Sequence, residues 1–528
     1  MNMQSSIRST WIVLGFLSIL ILSCSQEKAS STNTNTYPKE SVQITSEGHR
    51  LALTYCQGCH VFPEPALLDT GSWRKVIKHM GYRLGINAEE GYANMATLDR
   101  QLLQMQAVFP EKPLLSEADF KKLKDYYLSN APTILVEKTS ESKSEEQALG
   151  LFKPIFPISQ ANDPPLTTLV KFLSDSVLAI GDYEDKVSLF KQDFNTPLHT
   201  INSGSPPVSM LETEDHYYLL CVGNIFPNDL GTGSLHQLNK ESTNTRLSKT
   251  ISETLVRPVY LSKGALSNNT AEDIVVSNYG YFTGSLSAFS KKGDTYQRAN
   301  LNNETGNHKT IIEDVNQDGL NDILTLKAQG NEGIFVHLNQ GNGNFVEKPL
   351  LQFPPVYGSS NFEWIDFNQD GLKDIIYCNG DNADYSPVLK PYHGIRIFLN
   401  QGGDLLFKES QFLPIHGASK SITYDFDQDG DLDIAAIAFF PDFQNTPQQG
   451  FVYFEQTSTG KFERRTTKEA SKGRWLTMDK GDFDQDGDMD LILGNFTYSQ
   501  IPIPDTLQRE WAKLGHKIMY LENTLLMQ

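Results

Sequence analysis

Cysteine is scarce, with five in 528 residues. That excludes a scaffold held together by dense disulfides, and the odd count leaves each thiol to be accounted for. Positive charge is also short: 45 Lys plus Arg stand against 64 Asp plus Glu, for a formal net charge of −19. Nucleic acid is therefore excluded as a main partner, because phosphate binding needs clustered Lys and Arg. Beyond the N-terminus no long apolar run occurs, so nothing later in the chain reads as a membrane span. What is present suffices for a large core, since 39% of residues are hydrophobic and 21% charged. At about 150 residues per domain the length allows three or four domains, or fewer if one is a large all-β unit.

Residues 1–23 carry one charge, Arg8, followed by the apolar run Trp11 to Leu22 and then Ser23-Cys24. A short positive start and an apolar stretch ending in small residues describe a signal peptide, with an uncleaved signal anchor as the alternative. Ile21-Leu22-Ser23-Cys24 resembles the bacterial lipobox, which implies lipidation at Cys24, export and membrane anchoring through the lipid, facing periplasm or cell surface. Residues 24–40 are polar and read as a flexible tether.

Tyr55-Cys56-Gln57-Gly58-Cys59-His60 contains Cys-x-x-Cys-His, the attachment motif of c-type haem. Two thiols on one helical turn can add to both vinyl groups, and the adjacent imidazole can then ligate the iron. A zinc site using Cys56, Cys59, His60 and His79, a thioredoxin-like pair and a plain disulfide are the competing readings. Helical patterns flank the motif, at Glu47–Tyr55, Ser72–Leu84 and Ser116–Leu128. Residues 41–135 resemble a small class I cytochrome c domain. The resemblance implies one haem c on Cys56 and Cys59, with His60 axial. Met80 is favoured as sixth ligand, Met105 is the alternative, and Met95 is a further candidate. Residues 136–148 are polar and charged and read as a linker.

From residue 149 to 528 one pattern recurs. Its ligand-type side chains are Asp314, Asn316, Asp318 and Asp322; Asp366, Asn368, Asp370 and Asp374; Asp425, Asp427, Asp429 and Asp433; and Asp482, Asp484, Asp486 and Asp490, with Gly at the sixth position each time. A period of about 50–60 residues with β-prone runs signals a propeller or another repeat array. Oxygen side chains at positions 1, 3, 5 and 9 suit a hard cation such as Ca²⁺. An EF-hand is excluded, because position 12 is Thr325, Tyr377, Ala436 and Leu493 rather than Glu. The loops resemble FG-GAP or VCBS repeats, which implies a β-propeller with integrin-α-like calcium loops and about four Ca²⁺. Asn339-Gln340-Gly341 and Asn400-Gln401-Gly402 resemble the turn that closes such a blade. The stretch Ala265 to Val276 keeps the nine-residue frame, with Asp273 last, but has lost most ligands. Segments near 150–200, 207–250, 258–300, 307–350, 359–410, 419–465 and 475–525 suggest seven blades.

The fold class expected is thus a small all-α cytochrome c-like domain followed by an all-β propeller. A polar insertion after the second full loop groups Asp381, Asp384, Lys390, Tyr392 and His393. Arg474 falls at a comparable point in a later repeat. These six form a candidate propeller-face site, against a plainer reading as loop packing. The leading function is electron transfer to or from a redox partner protein, with the propeller docking a glycan or protein ligand and no defined catalyst. The alternatives are a sugar or alcohol oxidoreductase passing electrons to its own haem, and a surface binding module. Cys221 and Cys378 lie in apolar strands and read as buried free thiols.

Overall fold

The computed structural model describes residues 43–526, apart from 94, 136–146, 192–193, 195, 241–248, 267–272 and 383–385. The expected signal peptide, Cys24 and the expected tether, most of the expected linker, and Asp384 lie outside the described residues. No helix among the described residues is long and apolar enough to cross a membrane.

Five helices come first: α1 Glu47–Tyr55, α2 Thr70–Arg83, α3 Ala88–Ala93, α4 Thr97–Met105 and α5 Glu117–Asn130. Ser46 and Ser116 cap α1 and α5, each hydroxyl accepting the backbone N–H three residues on (3.1 Å in both). That satisfies a donor with no partner inside the helix. The expected first and last helices appear almost as read; α3 and α4 were not anticipated. Helices α1 and α5 cross closely at Gly48, where a Cβ would stand 2.4 Å from the Lys122 carbonyl oxygen. Their core holds Leu51, Ala52, Trp73, Ile77, Leu123 and Tyr127. The Trp73 indole N–H donates to the Pro65 carbonyl at 2.8 Å, so its burial leaves no polar atom unpaired.

Seven β-sheets follow, each of four strands with one enlarged to five. The first strands of blades 1 to 7 are Thr167–Leu173, Pro207–Glu212, Pro258–Gly264, Asn307–Glu313, Ser359–Ile365, Ala418–Tyr424 and Trp475–Gly481. Each packs against the first strand of the next blade, and the seventh packs against the first, which closes a ring. The second strands are buried on both faces; all six residues of Asp374–Asn379 are buried. The chain is a seven-bladed β-propeller, as the repeat count suggested.

Closure differs from the sequence expectation. Phe152–Ile155, read as the start of the first blade, instead pairs antiparallel with Ile518–Asn523 and forms the outer strand of blade 7. Just before it, Gln147–Ala148 runs parallel to the outer strand of blade 6. Phe152 is 2% exposed and meets Phe426 and Tyr453 edge-on. The ring is thus sealed by a non-local pairing that also anchors the incoming chain to two blades. A helix absent from the sequence reading, α6 Asp505–Leu514, lies within blade 7 and buries Trp511.

Candidate functional site

Three arrangements carry chemistry: the thiol–imidazole turn after α1, the Asp-rich loops at one end of the propeller, and the loop face at the other end.

Cys56 caps the C-terminus of α1, its N–H donating to the Ala52 carbonyl at 2.8 Å. The chain turns through Gln57 and Gly58, Cys59 is exposed, and both thiols are free. Burial pushes the Cys56 thiol up to about 11, so it behaves as a quiet neutral thiol. His60 is half-buried, and burial lowers its imidazole below the ordinary value. Its Nδ1 lies 2.9 Å from the Val61 carbonyl oxygen. A carbonyl can only accept, so Nδ1 carries the proton and Nε2 keeps its lone pair, the state a metal-ligating histidine needs.

A zinc tetrad requires ligand atoms converging on a point. Among the described residues the clusters that converge are all aspartates, and Cys56, Cys59 and His60 are not among them. Haem attachment asks something different, with two thiols reaching the macrocycle edge and only the imidazole reaching the iron. The donor set fits that group. Met80 is half-buried on α2, one turn after the core residue Ile77. Met105 ends α4 at 86% exposure, and Met95 packs beside Tyr82, Tyr92 and Phe109.

Each Asp-rich loop joins the first and second strands of its blade. In all four, the Gln at position four is left-handed (φ 56 to 67°) and the Gly at position six has φ of 88 to 101°. The sixth position thus demands glycine. In blade 4, Asp314 accepts the N–H groups of Asp318 (3.1 Å) and Gly319 (2.8 Å), and Asp318 accepts that of Leu320 (2.9 Å). Asp366 and Asp370 repeat this in blade 5. In blade 6, Asp425, Asp427 and Asp429 bring carboxylate oxygens within 4.8 Å of one another, as do Asp482, Asp484 and Asp490 in blade 7. Burial and the neighbouring Asp429 push Asp427 up to about 6.

The ninth-position aspartates behave differently from the others. Asp322, Asp374, Asp433 and Asp490 are fully buried. One oxygen accepts an N–H from the loop (Val315, Phe367, Phe426, Phe483) and the other an N–H from the third strand (Asn339, Asn400, Gln456, Asn523). Tyr453 and Tyr520 add hydroxyl donors to Asp433 and Asp490, at 2.5 and 2.6 Å. Burial pushes both carboxyls up to about 7. Asp273 in blade 3 accepts from Leu266 and Lys291 in the same manner although its loop has lost most of the other ligands.

The fourth-position glutamine was visible in every copy but unassigned. Its amide donates to the next blade: Gln369 to the Gly430 carbonyl (2.7 Å), and Gln485 across the seam to Ser176 (2.7 Å). Two asparagines at the ends of third strands reach back to the preceding blade, Asn339 donating to the Leu266 carbonyl and Asn523 to that of Phe426.

At the opposite end, the candidate face residues are turned inward. Lys390, His393 and Arg474 are 3%, 2% and 3% exposed. Lys390 donates to Asn382 and to the Ser386 carbonyl. Arg474 donates to the Phe439 and Tyr498 carbonyls (3.0 and 2.6 Å) and lies 3.5 Å above the Phe439 ring. Burial lowers its guanidinium to about 9, with Asp381 opposing that shift. The Tyr392 hydroxyl donates to the Leu67 carbonyl at 3.0 Å, which belongs to the helical segment.

That bond is one of several. Val356 packs into the helical core, and Leu67 packs against the core of blades 4 and 5. Phe282, from the loop after the second strand of blade 3, meets Phe109 edge-on at 5.5 Å and sits 4.8 Å beneath the Arg83 guanidinium. Asp229 holds that loop by accepting the N–H groups of Tyr281, Phe282 and Thr283, while its own N–H donates to Asp99 of α4 (3.3 Å). The helical segment is therefore seated on the loops of blades 2 to 5, at the end away from the Asp-rich loops. Cys221 and Cys378 are buried and free, pushed up to about 12 by burial.

The FG-GAP-like repeat model matches residues 314–377 and 425–493. Each stretch runs from one Asp-rich loop into the second strand of the following blade. No curated protein matches the chain. Among solved structures it is similar to the N-terminal domain of Nup159 (11% identity, TM-score 0.40, covering 72% of this chain and 98% of that one). It is also similar to the extracellular domain of a one-component system from B. thetaiotaomicron (11%, 0.39, 70% and 40%). A third is a chain of an S. cerevisiae assembly containing Dbp5, Nup159 and Gle1 (10%, 0.42, 72% and 98%). Likenesses of this order carry no argument about function. The chain carries FG-GAP-like repeats in a seven-bladed β-propeller.

Proposed function

We propose that this protein is an exported, lipid-tethered c-type cytochrome whose haem domain is seated on a calcium-binding propeller, and that it transfers electrons to or from a partner protein. The observation carrying the reading is the turn after α1: two free thiols three residues apart, followed by His60 with Nδ1 committed to Val61 and Nε2 left available. Cys56 and Cys59 would attach the haem, His60 Nε2 would ligate its iron, and Met80, rather than the exposed Met105, would be the second protein ligand. The group, when bound, supplies one-electron chemistry. The chain's own part is to bury one side of the turn, fix the imidazole tautomer and hold the helices on the propeller. The Asp-rich loops would each take a Ca²⁺, which relieves repulsion among their carboxylates and stiffens one end of the ring. Cys24 would anchor the molecule to a membrane, and the propeller would dock a protein or glycan.

A second reading, an oxidoreductase passing electrons internally, draws on the seating of the helices over the loop face, where propeller ligands would enter. Full-length protein matured in cells competent for haem attachment separates the two. Reversible reduction with dithionite and reoxidation supports the first reading; reduction by a sugar or alcohol alone supports the second. A matured protein without redox-active absorbance contradicts both.

A further inference from the structure

Four lysines from four blades converge on the propeller axis. Lys171, Lys309, Lys420 and Lys480 lie on the first strands of blades 1, 4, 6 and 7. Lys420 feels the charges of Lys309 and Lys171, although blades 4 and 1 do not adjoin blade 6. The first strands form the inner ring, and the bonds from Lys309 to Asn361, Lys171 to Asp479 and Lys480 to Thr423 each cross from one of these strands to the next, which places the charges around the central axis. Lys309, Asn361 and Lys420 also share one register position on consecutive blades, each the first paired residue after the strand's bulge.

Among the described residues two carboxylates act on them, Asp479 and Glu363, and both are engaged. Asp479 accepts from Lys171 and from the Phe172 N–H, both at 2.8 Å. Glu363 accepts from the Ser421 hydroxyl (2.6 Å) and from the Thr423 hydroxyl and N–H (3.1 and 2.9 Å). Lys309 donates to Asn361 Oδ1 (2.9 Å) and Lys480 to the Thr423 carbonyl (3.2 Å), which leaves donors on both. Lys420 has no hydrogen bond or ion pair to its ammonium among the described residues. In a chain of net charge −19, the axis carries four ammonium groups against two carboxylates. Burial lowers Lys420 to about 8, with Asp479 and Glu363 opposing that shift and Lys309 and Lys171 adding to it. Unpaired, partly buried cations are costly, and a bound counter-ion is the usual remedy.

We propose that the central channel binds a small dianion of the phosphate or dicarboxylate type, held by Lys309, Lys420 and Lys480 with Asn361 beside them. The imbalance of two charges sets the preference for a dianion over a monoanion. The reading is independent of haem and of calcium, since none of these residues belongs to either site.

Isothermal titration of the full chain tests it, at constant ionic strength. Sulfate serves as the phosphate-type probe, because it spares bound calcium, succinate as the dicarboxylate, and acetate as the monoanion. Saturable binding of sulfate or succinate, at least tenfold tighter than acetate, is expected, and the tighter of the two names the class. Lys420→Met should weaken it at least tenfold and Lys420→Arg should keep it. Lys121→Met, on the exposed face of α5, should leave it unchanged. Equal or absent binding of all three anions overturns the proposal. So does a folded Lys420→Met chain that binds as wild type; if that variant does not fold, loss of binding in Lys420→Arg overturns it instead.

Discussion

The two ends of the propeller are built on opposite plans. At one end four loops repeat a single grammar, down to the left-handed Gln and the glycine after the third ligand position. At the other end the loops after the second strands differ in length from blade to blade, cations are buried among aromatic rings, and a helical segment is seated on blades 2 to 5. Repetition serves the ring itself: Gln369 and Gln485, with Asn339 and Asn523, tie blades to their neighbours. Irregularity serves what the ring carries. Within the repeated end a finer contrast appears. The ninth aspartate is an acceptor for backbone N–H groups, and it survives as Asp273 in blade 3, where most of the other ligands are lost.

That contrast gives the largest expected effect. Asp433→Ala would leave two buried N–H groups and the Tyr453 hydroxyl unpaired, and should cost about 3 kcal/mol or more in denaturant unfolding. Asp429→Ala in chelator should change stability by only about 0.5 kcal/mol in either direction. Equal costs would break the distinction. Next in size is metal removal. Chelation should lower the melting temperature by several degrees as four sets of carboxylates lose their cation. The triple variant Asp425→Asn, Asp427→Asn, Asp429→Asn should reduce bound Ca²⁺, measured by atomic emission, by about one per chain.

At the irregular end the effects are smaller and local. Phe282→Ala removes the ring wedged between Phe109 and Arg83 and should cost about 1 kcal/mol. Hydrogen exchange should quicken across α3 and α4 but not in blades 4 to 7. Faster exchange throughout would mean that the helices are not a separately seated unit. Glu332, 2% exposed and bonded to Ser359, gives the mildest test. Burial pushes its carboxyl up to about 8, against about 4.5 when unfolded. The folded chain therefore holds a proton that the unfolded chain has released, and this contribution to stability fades as pH rises from about 4.5 to 8. Glu332→Gln should flatten that part of the stability profile.

What was legible in the sequence was local or repeated. Cys56-x-x-Cys59-His60, the Asp-rich loops and the helices around Ser46 and Ser116 depend on spacing within a dozen residues. The blade count followed from the period. What escaped were pairings between distant residues. Phe152–Ile155 reads as any apolar run, and only its partner Ile518–Asn523 reveals it as the closing strand. Lys171, Lys309, Lys420 and Lys480 look like scattered surface charges until the ring brings them together. The candidate face residues lie at the end opposite the Asp-rich loops, where Lys390, His393 and Arg474 are buried and Tyr392 contacts the helices.

The reading of the helical segment as a haem domain meets its most direct test in the intact mass of the full-length protein, purified from cells competent for haem attachment. The account predicts one haem retained through denaturation, and its loss when Cys56 and Cys59 are both replaced by serine. A matured wild-type chain whose mass carries no haem, or whose colour is extracted by acidified solvent, would contradict it.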